Sequence, residues 1–285
     1  MTYRATLYDD RPCELGEGPL WHPERQQLFW FDIAGRRLLS RAGDTPLEWR
    51  FDEHHSAAGW VDRDTLLVVS ETGLWRFDIE SGERVLLQPL EEENEATRSN
   101  DGRADPMGGF WIGTMGKGAE PGAGAIYRWY RGELRQLVAG ISVSNSICFA
   151  PDGRTAYFAD TPEGRIRRQP LDAEGWPSGE PALFADPGAS GLRPDGSVTD
   201  AEGTLWNAAW GAGKVTRYGA DGQPGLEVTL AGSQSTCPAF GGLEFRTMFV
   251  TTAREGLTAP DAGQGCVYAI DLPCAGRPEP RVLLP

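Results

Sequence analysis

Gly18-Pro-Leu-Trp-His22, then a turn, then Leu28-Phe-Trp-Phe-Asp32: this pair of short segments decides the fold, because the chain repeats it. Equivalent first segments stand at Ala57-Ala-Gly-Trp-Val61, Asp101-Gly-Arg-Ala-Asp105, Ser146-Ile-Cys-Phe-Ala150, Gly196-Ser-Val-Thr-Asp200 and Pro238-Ala-Phe-Gly-Gly242. Each leads through a turn to a second one: Leu66-Leu-Val-Val-Ser70, Phe110-Trp-Ile-Gly-Thr114, Ala156-Tyr-Phe-Ala-Asp160, Leu205-Trp-Asn-Ala-Ala209 and Met248-Phe-Val-Thr-Thr252. Short apolar runs rich in β-branched and aromatic residues, bounded by Gly, Pro and Asp, are strands. Third segments such as Gly73-Leu-Trp-Arg-Phe77 and Lys214-Val-Thr-Arg-Tyr218 make each unit a meander. A period of roughly 40 to 50 residues is the length of one propeller blade, and six such units fill the chain. A β-sandwich also has many strands, but it does not predict six meanders in phase. The expected fold is all-β, a single six-bladed β-propeller domain over residues 1–285. Tyr3 to Tyr8 and Arg281 to Leu284 are expected as strands that complete a shared blade and close the ring.

Composition agrees with this and narrows the function. Segments 91–97 and 172–174 offer at most a helical turn, with no apolar residues at helical spacing over enough length for an amphipathic helix. A net charge of −14 without a clustered Lys/Arg surface argues against a nucleic-acid partner. The acidic run Glu91, Glu92, Glu93, Glu95 reads as an exposed loop. No stretch approaches the length of an apolar membrane span, and Met1 to Pro12 has no apolar signal core. Five cysteines without a C-x-x-C pair read as free thiols in a reducing compartment. A cytoplasmic protein with no membrane association and no obligate protein partner is the expectation.

The register also points to a site. The residues immediately before the first segments are Glu17, Ser56, Asn100, Asn145, Asp195 and Cys237. In a propeller the innermost strands of all blades begin around one axis, so equal phase places these six side chains around one end of the central channel. Carboxylates gathered at such a place and taken out of water neutralise or need a partner. A bound cation supplies one, and a set of oxygen donors suits Ca²⁺, Mg²⁺ or Mn²⁺ better than a structural zinc. Asp152 falls at the outer turn of its repeat and reads as a turn former. Gly211-Ala-Gly-Lys214 lacks the full phosphate-loop pattern and reads as a hairpin turn. His22, His54 and His55 do not stand at the axial phase and read as turn or solvated side chains. Cys237 is expected to line the pocket wall.

At these residues the chain resembles the senescence marker protein/regucalcin/gluconolactonase family of six-bladed propellers. The resemblance is carried by Leu15-Gly-Glu17-Gly-Pro-Leu-Trp21, Arg98-Ser-Asn100-Asp-Gly102, Pro194-Asp195-Gly196 with Asp200-Ala-Glu-Gly-Thr-Leu-Trp206, and Phe240-Gly-Gly242 followed by Phe249-Val-Thr-Thr-Ala253. It implies a divalent metal (Ca²⁺, Mg²⁺, Mn²⁺, Zn²⁺ or Fe²⁺) ligated by Glu17, Asn145 and Asp195, with Arg98 and Asn100 contacting substrate and Glu120 as a further contact from the 116–124 loop. The family usually has Asn-Gly where this chain has Asn145-Ser146. A positive φ at Asn145 would make the serine cost about 1 kcal/mol or more.

The function so implied is a metal-dependent lactonase that opens the ring of an aldonolactone, with Asp195 as both ligand and proton acceptor. The alternatives are a non-catalytic calcium-binding protein and another metal-dependent esterase or phosphotriesterase. Arg98 and Asn100 have no purpose in a pure ion buffer, and a polar channel mouth suits a sugar better than an apolar ester.

Overall fold

The chain's computed structural model describes residues 2–285 and consists of six sheets arranged around one axis, each an antiparallel meander. The first blade is built from Gly16–His22, Gln27–Asp32, Arg37–Ala42 and Thr45–Arg50, and the second from His55–Asp62, Thr65–Ser70, Gly73–Asp78 and Arg84–Pro89. The third runs Thr97–Ala104, Phe110–Gly116, Gly124–Tyr130 and Glu133–Ile141, and the fourth Ser144–Phe149, Thr155–Asp160, Arg165–Pro170 and Ala182–Ala185. Arg193–Thr199, Leu205–Trp210, Lys214–Tyr218 and Pro224–Thr229 form the fifth; Gln234–Gly241, Thr247–Ala253 and Val267–Asp271 begin the sixth. In every blade the first strand is innermost, and it touches the first strands of both neighbouring blades.

The physical basis is visible strand by strand. Each blade is packed on both faces, so its second strand reads as a near-continuous apolar run; Gln27–Asp32 and Thr65–Ser70 are buried along their whole length. Outer strands face solvent on one side and alternate, as Thr45–Arg50 does. The core lies between blades: Phe29, Phe31 and Leu38 of the first blade pack with Leu66, Val68 and Phe77 of the second. Trp21 stacks on Phe249 of the sixth blade with ring centroids 5.5 Å apart, which joins the first and last repeats. Such a pair contributes about 1 kcal/mol beyond its buried area.

Ring closure differs at the two ends of the chain. Thr6–Asp9 pairs antiparallel with Val267–Asp271 and supplies the missing outer strand of the sixth blade. Thr2–Arg4 adds to the fifth blade as a parallel fifth strand. Arg281 to Leu284, expected as a strand, is not one. The C-terminal segment instead crosses the end of the ring, with Val282 N–H donating to Trp60 O and Leu283 N–H to Gly108 O, both at 2.9 Å. There the Glu279 carboxylate pairs with Arg103 on the innermost strand of the third blade, both side chains buried. The reason is electrostatic: Arg103 is buried at the axis, and Glu279 supplies the charge that offsets its desolvation.

Other expectations hold in part. Glu92, Glu93 and Glu95 are exposed, but the Glu91 carboxylate is part-buried and accepts from Thr97 Oγ1, Thr114 Oγ1 and Tyr127 Oη. His22 and His55 are both fully buried rather than solvated. His22 Nε2 meets Asp62 O at 3.0 Å, and His55 stacks on Phe51. Neither 91–97 nor 172–174 is helical. The stretch 211–213 is the hairpin turn that precedes Lys214–Tyr218.

Candidate active site

The site begins with a defect that every blade shares. The innermost strand breaks register with its neighbour at Glu17/Leu20, His55/Ala57, Ser99/Gly102, Asn145/Cys148, Pro194/Ser197 and Ser235/Pro238. A bulge leaves residues unpaired and re-aims their side chains. Glu17, Ser56, Asn100, Asn145, Asp195 and Cys237 all fall at these breaks. They therefore lie inside the innermost strands, not ahead of them as the sequence suggests. The segments leading in are held by aspartates that end second strands: Asp32 Oδ1 accepts from Leu15 N–H at 3.0 Å, and Asp160 Oδ1 from Val143 N–H at 2.8 Å.

Four of the six line one cavity of about 870 Å³: Glu17, Asn100, Asn145 and Asp195, together with Arg98. The other two do not. Ser56 is spent on a hydrogen bond to Ser99 Oγ at 2.7 Å. Cys237 lies deeper in the channel, 3.9 Å from Arg103 Nη2, and not in the cavity wall. Glu120 is exposed, and its Oε2 accepts from Gly118 N–H within its own loop; its neighbour Ala119 lines the cavity instead.

Backbone conformation at the bulges explains the residues beside the candidates. Gly18 has φ 53°, and a Cβ there would sit 2.2 Å from Ser56 O, so only glycine fits after Glu17. The equivalent residue after Asn145 is Ser146, with φ 62°. The positive φ thus falls on the serine and not on Asn145. Its strain of about 1–2 kcal/mol is offset by hydrogen bonds. Ser146 Oγ donates to Asp195 O at 2.6 Å and accepts from Asn207 Nδ2 at 3.1 Å.

Electrostatics single out two acids. Burial pushes the Glu17 carboxyl up to about 8, with Asp101 adding to the rise. Burial, then Glu17, then Asp101 hold Asp195 well above the carboxylate range. Asp195 Oδ1 is buried with no hydrogen-bond partner among the described residues, although a carboxylate oxygen needs a donor or a cation. Asn145 Oδ1 accepts one bond, from Asn100 Nδ2 at 3.1 Å, and keeps a lone pair free. Two carboxylates that repel each other and an amide oxygen, in one cavity, fit a hard divalent cation. Among the described residues no three His, Cys, Asp or Glu side chains gather as a metal cluster.

Around this buried end the wall is mixed. Trp210 and Leu15 form an apolar side, and Thr161 and Glu255 face the same space. None of these was among the sequence candidates. They share a signal nonetheless: Thr161, Trp210 and Glu255 stand at or just past the end of a second strand, which in an antiparallel meander returns to the end where the innermost strand begins.

A six-bladed propeller with an acid- and amide-lined cavity at one end of its channel is the class of protein that fold and site define. Residues 15–254 match the family described as SMP-30/Gluconolactonase/LRE-like region. The chain belongs to that family. It is 35% identical to a 6-deoxy-6-sulfogluconolactonase of Pseudomonas putida, covering 95% of each chain. It is 36% identical to an L-arabinolactonase of Azospirillum brasilense, over 96% of this chain and 93% of that one. Among solved structures, the calcium-binding protein regucalcin of Agrobacterium tumefaciens superposes with a TM-score of 0.96 at 39% identity, covering 100% of this chain and 99% of that chain.

Proposed function

We propose that the chain is a hydrolase that opens the ring of a sugar lactone, with a divalent cation held by Glu17, Asn145 and Asp195. The observation that carries this reading is the unpartnered, buried Asp195 Oδ1 in a cavity shared with Glu17 and Asn145. Relatives along nearly the whole chain that are named as lactonases support the reaction type. A bound divalent ion would supply Lewis-acid polarisation of the lactone carbonyl.

The chain's own residues do the rest. Asp195 is the base: a bound cation would favour its ionised form, and the carboxylate then accepts a proton from the attacking water, which requires both that charged form and hydrogen-bond reach. Arg98 and Asn100 orient the sugar hydroxyls. Arg98 Nη1 is committed to Ser99 O and to Asn100 Oδ1 at 2.8 Å, while its other guanidinium nitrogens bond to none of the described residues and remain for substrate. Trp210 and Leu15 exclude water from one side. Glu120 joins the site only by a movement of its loop. The five free cysteines support a reducing, cytoplasmic setting.

The second reading is a calcium-binding protein without catalysis, favoured by the description of the Agrobacterium structure. A proton-release assay over a panel of aldonolactones, with and without chelator, separates the two. Turnover that a chelator abolishes and Mn²⁺ or Ca²⁺ restores is the expected result. Tight ion binding with no turnover of any lactone would leave the second reading in its place.

A further inference from the structure

An asparagine ligates a hard cation through its oxygen only, and the two ends of the amide have nearly the same shape. Which end of the Asn145 amide carries the oxygen must therefore be set by hydrogen bonding. The structure holds a chain of bonds whose direction is determined at both ends. Arg98 Nη1 can only donate, so Asn100 presents Oδ1 to it. Asn100 Nδ2 then donates to Asn145 Oδ1 at 3.1 Å, and Asn145 Nδ2 donates to Thr161 Oγ1 at 2.8 Å. Thr161 Oγ1 spends its one proton on Pro194 O, also at 2.8 Å, and that carbonyl can only accept. A flipped Asn145 would set two NH₂ groups face to face at Asn100 and two acceptors face to face at Thr161.

We propose that Thr161 is a positioning residue for the metal: its hydroxyl holds Asn145 Nδ2, keeps Oδ1 turned to the cavity, and ties Asn145 to the residue before Asp195. Thr161 opens the short turn Thr161–Glu163, directly after the strand Thr155–Asp160, and so is presented at the cavity by the same blade that carries Asn145. This rests on the reading of Glu17, Asn145 and Asp195 as ligands. Loss of a group that orients a ligand typically weakens metal affinity by about 10–100-fold.

The test is a calorimetric titration of the full-length, metal-stripped chain with Mn²⁺, together with its Thr161→Val and Thr161→Ser variants. Valine keeps the shape of threonine without the hydroxyl, and serine keeps the hydroxyl. The expected result is one Mn²⁺ site in the parental chain, a Kd weaker by about 10–100-fold in Thr161→Val, and a Kd near the parental one in Thr161→Ser. Parental affinity in Thr161→Val, or equal weakening in both variants, would overturn the role of the hydroxyl. A parental chain that binds no Mn²⁺, Ca²⁺ or Zn²⁺ would overturn the ligand reading itself, and the proposal with it. If Thr161→Val does not melt cooperatively, Thr161→Ala provides the same comparison.

Discussion

Ser146 donates its hydroxyl proton to the backbone carbonyl of Asp195 at 2.6 Å, so the residue that follows one candidate ligand supports the backbone of another. The left-handed bulge of the fourth blade and the acid of the fifth are thereby one unit. Ser146→Ala keeps the strain of a Cβ at positive φ and loses the bond, at a cost of about 1–2 kcal/mol. Ser146→Gly loses both and stays within about 1 kcal/mol of the parental protein. Urea denaturation reads the order; an alanine variant more stable than the glycine variant would contradict the left-handed assignment.

Asp195→Ala separates chemistry from folding. Activity on a lactone should fall by at least about 100-fold, the loss expected when a general base is removed. In chelator the variant should melt cooperatively at or above the parental temperature, because the substitution removes a buried carboxylate oxygen without a partner. Parental turnover by Asp195→Ala, measured by proton release, would remove Asp195 from the site.

His55 gives the chain an acid-sensitive blade. Burial drives its pKa down to about 3, and Arg84 adds to the effect. Its Nδ1 lies 3.2 Å from Glu53 O and its Nε2 2.9 Å from Arg84 Nη1, which suits the neutral ring. The unfolded chain protonates this histidine near pH 6.5 while the folded one does not, so its contribution is complete above about 6.5 and lost as pH falls toward 3. Between pH 7 and pH 5 the parental protein should lose about 2 kcal/mol more than His55→Gln. Parallel stability curves for the two proteins, from denaturant melts at each pH, would sink this.

Arg103 and Glu279 fasten the C-terminal segment over the channel. Removing one partner strands a buried charge, at about 3–5 kcal/mol, whereas replacing both by apolar residues costs much less. Glu279→Leu should therefore destabilise by more than Arg103→Met/Glu279→Leu does, and should open the tail to proteolysis. A double-mutant cycle with a coupling energy near zero would show that the pair does not hold the tail.

The blades are legible in the sequence because each is buried on both faces, which makes second strands such as Leu66-Leu-Val-Val-Ser70 continuous apolar runs at a regular period. Phase along that period suffices to bring Glu17, Asn100, Asn145 and Asp195 to one cavity. It places Cys237 and Ser56 at the same level as well, where the structure turns one deeper and spends the other on Ser99. Period locates a backbone position; the bulge decides where its side chain goes.

What the amino-acid order determined by itself is local and repetitive: strand, turn, blade count and the residues that begin each blade, all set by burial patterns within one repeat. What only the tertiary structure decided is pairwise and distant. Arg103 meets Glu279 across 176 residues, Ser146 meets the Asp195 carbonyl across 49, and His55 is sealed beneath Phe51 and Arg84. Those outcomes depend on which polar groups the closed ring leaves without water, and a buried donor or acceptor takes whichever partner the packing brings near.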